Sequence, residues 1–280
     1  MTSTSIILFA LAFATQSYGN FVREISLSKE IQYEQTTSGA ATQSPSRYYP
    51  YSFAAEVDGD TRAFTVSLSP KPKVTLPIAS KFRKFYHLKP ALGLGSDSDD
   101  GWNFGYVGKD SFDNWGTKTQ AELDSVFPNG KYIFSVQRKL VILSLSEGTY
   151  PPAPVVKLKG GRWEDGAYRI STKKSLVIDS GVYQKYGANL NDSISLGLED
   201  DDTGDSIFDA NQVAKKLIGG PKVSISKSLS RTVPANTLEA GHTYYLDCSF
   251  SAIVSQSRVL PKCMSIAYFG SETLVKIIAE

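Results

Sequence analysis

The sequence is poor in the residues that most often carry catalytic chemistry. Its 280 residues include two histidines and two cysteines. Nucleophile–histidine catalysis needs a histidine oriented by a third group. No Gly-x-Ser-x-Gly elbow accompanies either His87 or His242, so we interpret them as ordinary strand and turn residues. Zinc sites need ligands at short, regular spacings, which this small set does not provide. We therefore expect a protein that is not an enzyme.

The sequence also lacks a strong charge bias and a long apolar run. Its formal net charge is +2, whereas nucleic-acid-binding domains are usually strongly basic. We therefore expect no nucleic-acid partner. The apolar run at residues 6–14 is too short to span a bilayer. With the small residues after it, it resembles a secretory signal peptide over residues 1–19.

The signal peptide predicts a secreted or cell-surface protein. Cleavage after Ala14 and cleavage after Gly19 both fit the pattern, and a buried N-terminal strand or arm is the alternative. Elsewhere the sequence has no apolar stretch long enough for a membrane helix. We therefore expect no transmembrane segment once the signal peptide is removed.

Aromatic residues are abundant, with 15 tyrosines and 14 phenylalanines, and many alternate with polar residues. In residues 243–250, Tyr244 and every second residue after it are apolar, which predicts a half-buried strand. A similar segment at residues 126–136 places Tyr132 where the later segment has Tyr244. The repetition predicts two copies of one structural unit.

The predicted fold is all-β, with two tandem antiparallel sandwiches. We place the N-terminal domain at residues 20–148 and the C-terminal domain at residues 155–280. Prolines at residues 151, 152 and 154 predict an extended, semi-rigid linker over residues 149–154. One short helix is expected at residues 119–126, because Thr119 stands three residues before Glu122, as in a capping box.

The pattern Leu238-x-Ala240-Gly-x-x-Tyr244-x-Leu246 resembles the turn that precedes a late strand in fibronectin type III domains. The resemblance covers mainly residues 153–280, and residues 126–136 match it locally. It implies a fibronectin- or immunoglobulin-like sandwich and an extracellular role. It also implies a tyrosine corner, in which the tyrosine hydroxyl bonds back to the upstream turn. The fold alone implies no activity.

The spacing of the two cysteines favours a disulfide in an exported protein. If residues 243–254 pair with residues 260–269 around a turn near Ser255, Cys248 and Cys263 face each other across the hairpin. Their bond would then close a loop of about 15 residues. Two buried free thiols are the alternative.

Two groups of residues are candidate binding sites. Acidic residues crowd positions 199–205 and 97–100, and carboxylates on one loop suit calcium, so Asp200, Asp202 and Asp205 are candidate ligands of a calcium ion. A plain polar hairpin tip is the alternative, and we expect no other cofactor. Aromatic rings suited to stacking on sugars or anchoring a protein are Tyr48, Tyr49, Tyr51, Trp102 and Trp115. Their alternative role is core packing.

These features predict a non-catalytic secreted protein for adhesion, scaffolding or ligand binding at the cell surface. Its partner would be an extracellular protein or a polysaccharide. A carbohydrate-binding protein or accessory module of a polysaccharide-degrading system is the first alternative, and a β-sandwich hydrolase is the second. A hydrolase of glycosides would need two carboxyl groups at a fixed separation, which the sequence does not reveal.

Overall fold

The computed structural model describes residues 22–43, 50–59, 72–80, 85–90, 101–103, 115–146, 149–187, 191–218 and 220–280. The predicted signal peptide, Tyr48, Tyr49 and the acidic residues 97–100 lie outside these ranges. The described part of the chain is mostly β-structure, which confirms the predicted all-β class. Within the described residues, no helix is both long and apolar enough to cross a membrane.

The strands in chain order are β1 (Val22–Glu34), β2 (Thr42–Gln43), β3 (Tyr51–Gly59), β4 (Lys73–Thr75), β5 (Phe85–His87), β6 (Lys89–Pro90), β7 (Gly101–Asn103), β8 (Trp115–Thr117), β9 (Gly130–Val136), β10 (Lys139–Leu145), β11 (Lys157–Lys159), β12 (Arg162–Glu164), β13 (Ala167–Ile170), β14 (Leu176–Asp179), β15 (Asn191–Asp200), β16 (Ser206–Val213), β17 (Ser230–Val233), β18 (Thr243–Ser257) and β19 (Met264–Ala279). The helix α1 spans Gln120–Val126.

The predicted helix is confirmed, together with its capping box. The hydroxyl of Thr119 accepts a hydrogen bond from the Glu122 N–H at 3.2 Å. In return, the Glu122 carboxylate accepts one from the Lys118 N–H at 3.2 Å. The Glu122 N–H, which a helix N-terminus leaves without an intrahelical partner, is thereby bonded, and the bond to Lys118 ties the residue before the cap to the first turn. Leu123 is the buried residue of this helix.

One large sheet contains strands from both halves of the chain. Its main order is β16-β15-β18-β19-β1-β3-β7-β6, and β2, β8, β12 and β13 pair at its margins. We call it the shared sheet. The other described strands form two smaller sheets, β10-β9-β4-β5 and β11-β14-β17.

The first and last long strands of the described chain are parallel neighbours in the shared sheet. Strand β1 pairs with β19 from Glu24 opposite Met264 to Glu34 opposite Leu274. On its other side, β19 is antiparallel to β18, from Thr243 opposite Ile278 to Ser257 opposite Ser265. The pairing of β1 with β19 therefore joins sequence segments at opposite ends of the chain.

Two large hydrophobic cores of the described residues lie along the shared sheet, beside a smaller cluster that includes Ile253 and Ile266. The first core contains Leu27 of β1, Phe53 of β3, Tyr132 and Phe134 of β9, and Phe269 of β19. Its walls are the shared sheet and the sheet β10-β9-β4-β5. Strands from both residues 20–148 and residues 155–280 line this core. The predicted division of the chain into these two domains stays a prediction.

The second core is lined by the shared sheet and the sheet β11-β14-β17. It contains Ile178 of β14, Tyr244 and Phe250 of β18, and Val275 and Ile277 of β19. Alternate residues of a strand point to the same face. The odd-numbered residues of β19 therefore all face the cores: residues 267 and 269 belong to the first core, and residues 275, 277 and 279 belong to the second.

The segment over the predicted linker is attached to the shared sheet. The buried hydroxyl of Ser271 donates to the Pro151 carbonyl at 2.6 Å, and that of Thr273 donates to the Pro154 carbonyl at 2.8 Å. Gln35, just after β1, exchanges two hydrogen bonds of 2.8 Å with the backbone of Val156. The linker is thus bonded to β19, and Val156, two residues after it, is bonded next to the end of β1.

The predicted disulfide between Cys248 and Cys263 is wrong, and both thiols are free and buried. The hairpin turn lies at residues 258–263, beyond the predicted turn near Ser255, because β18 continues through a bulge to Ser257. Cys248 is consequently opposite Thr273. At about 3.3 Å per residue, Thr273 lies roughly 33 Å along the strand from Cys263. Cys248 belongs to the second core and Cys263 to the first.

Candidate functional site

The clearest polar cluster of the described residues lies at one end of the second core. The antiparallel strands β15 and β16 form the hairpin that the acidic segment predicts, with residues 201–205 at its tip. Gly204 has a φ of +79°, a left-handed conformation that glycine adopts without steric cost. Asp200, the last residue of β15, turns its side chain back onto this tip.

Asp200 holds the hairpin tip together through its carboxylate. Its Oδ1 accepts hydrogen bonds from the N–H of Asp202 at 2.9 Å and of Thr203 at 3.3 Å. Its backbone carbonyl accepts one from the Gly204 N–H at 2.8 Å. A buried carboxylate needs such partners because burial alone is costly for a charge.

The turn before β18 brings a histidine to the same place. The Tyr244 hydroxyl accepts a hydrogen bond from the Glu239 N–H at 2.8 Å, which is the bond that a tyrosine corner requires. His242 lies in this turn, and its Nδ1 is 2.8 Å from Asp200 Oδ2. Its Nε2 is 3.5 Å from Glu239 Oε2. The Thr243 N–H donates to Asp202 Oδ2 at 3.0 Å.

The contact between Asp200 and His242 shifts the pKa of both groups. The hydrogen bond to Asp200 raises the pKa of His242 against a smaller opposing effect of desolvation. Desolvation by itself would raise the pKa of Asp200, but the hydrogen bond from His242 and those from the Asp202 and Thr203 N–H groups lower it. Each shift favours the charged form, so the pair is an ion pair at mildly acidic pH.

The cluster offers both oxygen and nitrogen ligand atoms. Among the described residues, Asp200, Asp202 and His242 form a group whose ligand atoms all lie within 4.8 Å of one another. Calcium prefers oxygen ligands, whereas a histidine nitrogen beside carboxylates suits a borderline cation such as zinc. The same atoms already bond to one another and to backbone N–H groups, so a cation would compete with these bonds.

The predicted calcium ligands are thus brought together only in part. Asp200 and Asp202 belong to the cluster, whereas Asp205 bonds through its backbone carbonyl to the Asp200 N–H and through its N–H to the Thr203 hydroxyl. Calcium at these residues stays a prediction. His242, expected to be an ordinary turn residue, replaces Asp205 as the third member of the cluster. Spacing in the sequence does not bring His242 close to Asp200. Their proximity follows from the ladder between β15 and β18, which pairs Asp200 with Tyr244, two residues after His242.

Three of the predicted aromatic binding residues, Tyr51, Trp102 and Trp115, lie on strand β3 or pair with it. Tyr51 is half-buried and packs against the first core. For Trp102 and Trp115 the structure describes the backbone, which places Trp102 opposite Val57 and Trp115 opposite Phe53. Tyr48 and Tyr49 lie outside the described residues. A shared sugar-stacking surface on these five residues stays a prediction.

No protein-family model matches this sequence, and no curated protein matches it either.

Proposed function

We propose that the protein is a non-catalytic, load-bearing scaffold or adhesion protein of the cell exterior. In this proposal the two cores belong to two tandem sandwiches of fibronectin- or immunoglobulin-like type that share one sheet. The two corner turns support it, because the hydroxyl of Tyr132 donates to the Pro128 carbonyl at 2.8 Å, as that of Tyr244 bonds to its own turn.

The parallel pairing of β1 with β19 carries the proposal. The two strands enter the ladder at Glu24 and Met264 and run in the same direction for eleven paired positions. A force pulling the start of β1 away from the end of β19 acts along the ladder. All of its backbone hydrogen bonds then resist together, whereas a force across the ladder would break them one after another.

The linker contacts extend this resistance across both cores. Strand β19 passes from the first core to the second, and Ser271 and Thr273 bind the linker at the crossing. A protein that holds two surfaces together needs such resistance between its ends. A soluble enzyme does not need it, which is why we favour scaffolding or adhesion over the hydrolase.

Single-molecule pulling in two directions tests this proposal. In the first geometry the handles are attached before Val22 and after Glu280, so that the ladder between β1 and β19 is sheared. In the control geometry they are attached at Thr37, in the exposed loop after β1, and after Glu280. Because Glu34 lies opposite Leu274, the control pulls across the ladder from one end. We expect a severalfold higher unfolding force in the first geometry, and equal forces would contradict the proposal.

A polysaccharide-binding role is the principal alternative, and a glycan array separates it from a purely mechanical role. Binding to a defined glycan that is lost in Tyr51→Ala, with the fold retained, would favour the alternative. Shortening of a bound polysaccharide during incubation would favour the hydrolase.

A further inference from the structure

A lysine is buried on the core-facing side of the first strand. Ile25 and Leu27 of β1 point into the first core, and Lys29 continues the same alternation with a side chain that is 0% exposed. An isolated buried ammonium group is very costly, so a buried lysine needs close partners or loses its proton. Lys29 therefore calls for an explanation beyond sheet packing.

Two side chains from a distant part of the chain converge on this lysine. Lys29 Nζ is 2.5 Å from Asp124 Oδ1 and 2.8 Å from Asn129 Oδ1. Asp124 lies on α1, and Asn129 lies in the turn that leads into β9. The three groups are an amine, a carboxamide and a carboxylate.

The surrounding structure holds these groups in position. The ring of Phe127, between Asp124 and Asn129, stacks on Phe53 with centroids 4.0 Å apart. The hydroxyl of Tyr132 fixes the turn by its bond to the Pro128 carbonyl. Groups held in contact in this way react with very high effective concentrations, since the entropy of bringing them together has already been lost during folding.

We propose that Lys29 and Asn129 form an intramolecular amide cross-link, with Asp124 transferring the protons. The Asp124 carboxylate takes a proton from the Lys29 ammonium group, and the neutral Nζ attacks Cγ of Asn129. A bond between Nζ and Cγ forms, and the bond between Cγ and Nδ2 breaks. Asp124 returns this proton to the departing nitrogen, which leaves as ammonia, and then accepts the second proton that Nζ must lose to become an amide nitrogen. No oxidant, reductant or other reactant is required.

The environment of each group suits this reaction. Desolvation lowers the pKa of Lys29, although the hydrogen bond and charge of Asp124 oppose the shift, so more of the amine is neutral and nucleophilic. The Asp124 side chain is 38% exposed, which gives ammonia a route to water. The cross-link would join β1 to the turn before β9, through the first core. Its formation does not depend on the proposed mechanical function.

Mass spectrometry of the intact full-length chain tests the cross-link. The wild-type protein should be lighter than the Asn129→Ala variant by the mass of one ammonia, after correction for the substitution. Any N-terminal processing cancels in this comparison. A tryptic digest of the wild type should contain one branched peptide that carries both Lys29 and Asn129, and this result does not require any variant to fold.

A second variant distinguishes the cross-link from a competing reaction of Asn129. Asn129 precedes Gly130, so attack by the backbone nitrogen would form a succinimide and would also release ammonia. In Lys29→Met the cross-link cannot form, whereas a succinimide can. Loss of ammonia that persists in Lys29→Met would overturn the proposal.

Two further outcomes would also overturn it. One is a wild-type mass equal to that of the uncross-linked sequence, with no branched peptide. The other is loss of one water in place of ammonia, retained in Asn129→Ala and abolished in Asp124→Asn, which would show that Lys29 reacts with Asp124. Slower loss of ammonia in Asp124→Asn, followed over time after folding, is the result expected for proton transfer by Asp124.

Discussion

Two buried tyrosines fix the turns that lead into β9 and β18. Tyr132 and Tyr244 are fully buried, and each hydroxyl bonds to a backbone group of its own turn. Burial raises the pKa of both phenols, so each remains protonated at neutral pH. The repeated segment in the sequence predicted the positions of both residues, because a corner of this kind depends on local spacing.

Removing either hydroxyl should destabilise the protein. In Tyr132→Phe the Pro128 carbonyl loses its donor, and in Tyr244→Phe the Glu239 N–H loses its acceptor. We expect each change to reduce the free energy of unfolding by about 1 kcal/mol, measured by urea denaturation. Tyr245→Phe, on the opposite face of β18, is the control. An effect no larger than the control's would mean that the corners do not stabilise the turns.

The pair of Asp200 and His242 should make stability depend on pH. The raised pKa of His242 gives a contribution that is complete below the usual histidine pKa and is lost as pH rises through the folded value. The lowered pKa of Asp200 gives a contribution that is lost as pH falls through its folded value. The pair therefore contributes most between roughly pH 4 and 6.5.

The variant His242→Gln tests this pH dependence. The difference in unfolding free energy between wild type and variant should be largest in that window and should shrink above neutral pH. Asp205→Asn, in the same hairpin tip but outside the cluster, should show no such maximum. A difference that is independent of pH would show that His242 acts through packing and not through charge.

At the scale of elements, local patterns predicted more than long-range pairing did. The capping box of α1 and the hairpin of β15 with β16 follow from residues close together in the chain, and both predictions are confirmed. The turn between β18 and β19 was misplaced because a bulge after Ile253 lets β18 continue. Pairing residues 243–254 with residues 260–269 placed the turn too early, and the wrong disulfide followed from this pairing.

The contact of the linker with β19 should contribute to stability. In Ser271→Ala and Thr273→Val, the carbonyls of Pro151 and Pro154 lose donors that are fully buried. We expect each variant to lose about 1–3 kcal/mol of unfolding free energy and to be cleaved faster by protease near the linker. Thr232→Val, at an exposed position of β17, is the control. Unchanged cleavage would mean that the linker does not depend on these bonds.

At the scale of the whole molecule, the sequence predicted two cores but not the sheet that joins them. Tyr132 and Tyr244 lie in different cores, in agreement with a repeated unit. The pairing of Ile25 with Ser265 and of Leu27 with Ala267 has no local signal, since any apolar strand with the right alternation could occupy this place. The proximity of Asp200 to His242 was missed for the same reason.

We expect the shared strands to couple the two cores into one unfolding unit. Hydrogen exchange with mass spectrometry tests this coupling on wild type, on Phe134→Ala in the first core and on Leu140→Ala at an exposed position of β10. The first variant should lose roughly 3–5 kcal/mol of stability. We predict that the slowest-exchanging amides of β14 and β18, which line the second core, then lose protection by the same free energy as those of β9. Undiminished protection in β14 and β18 would show that the two cores unfold independently and would contradict the account.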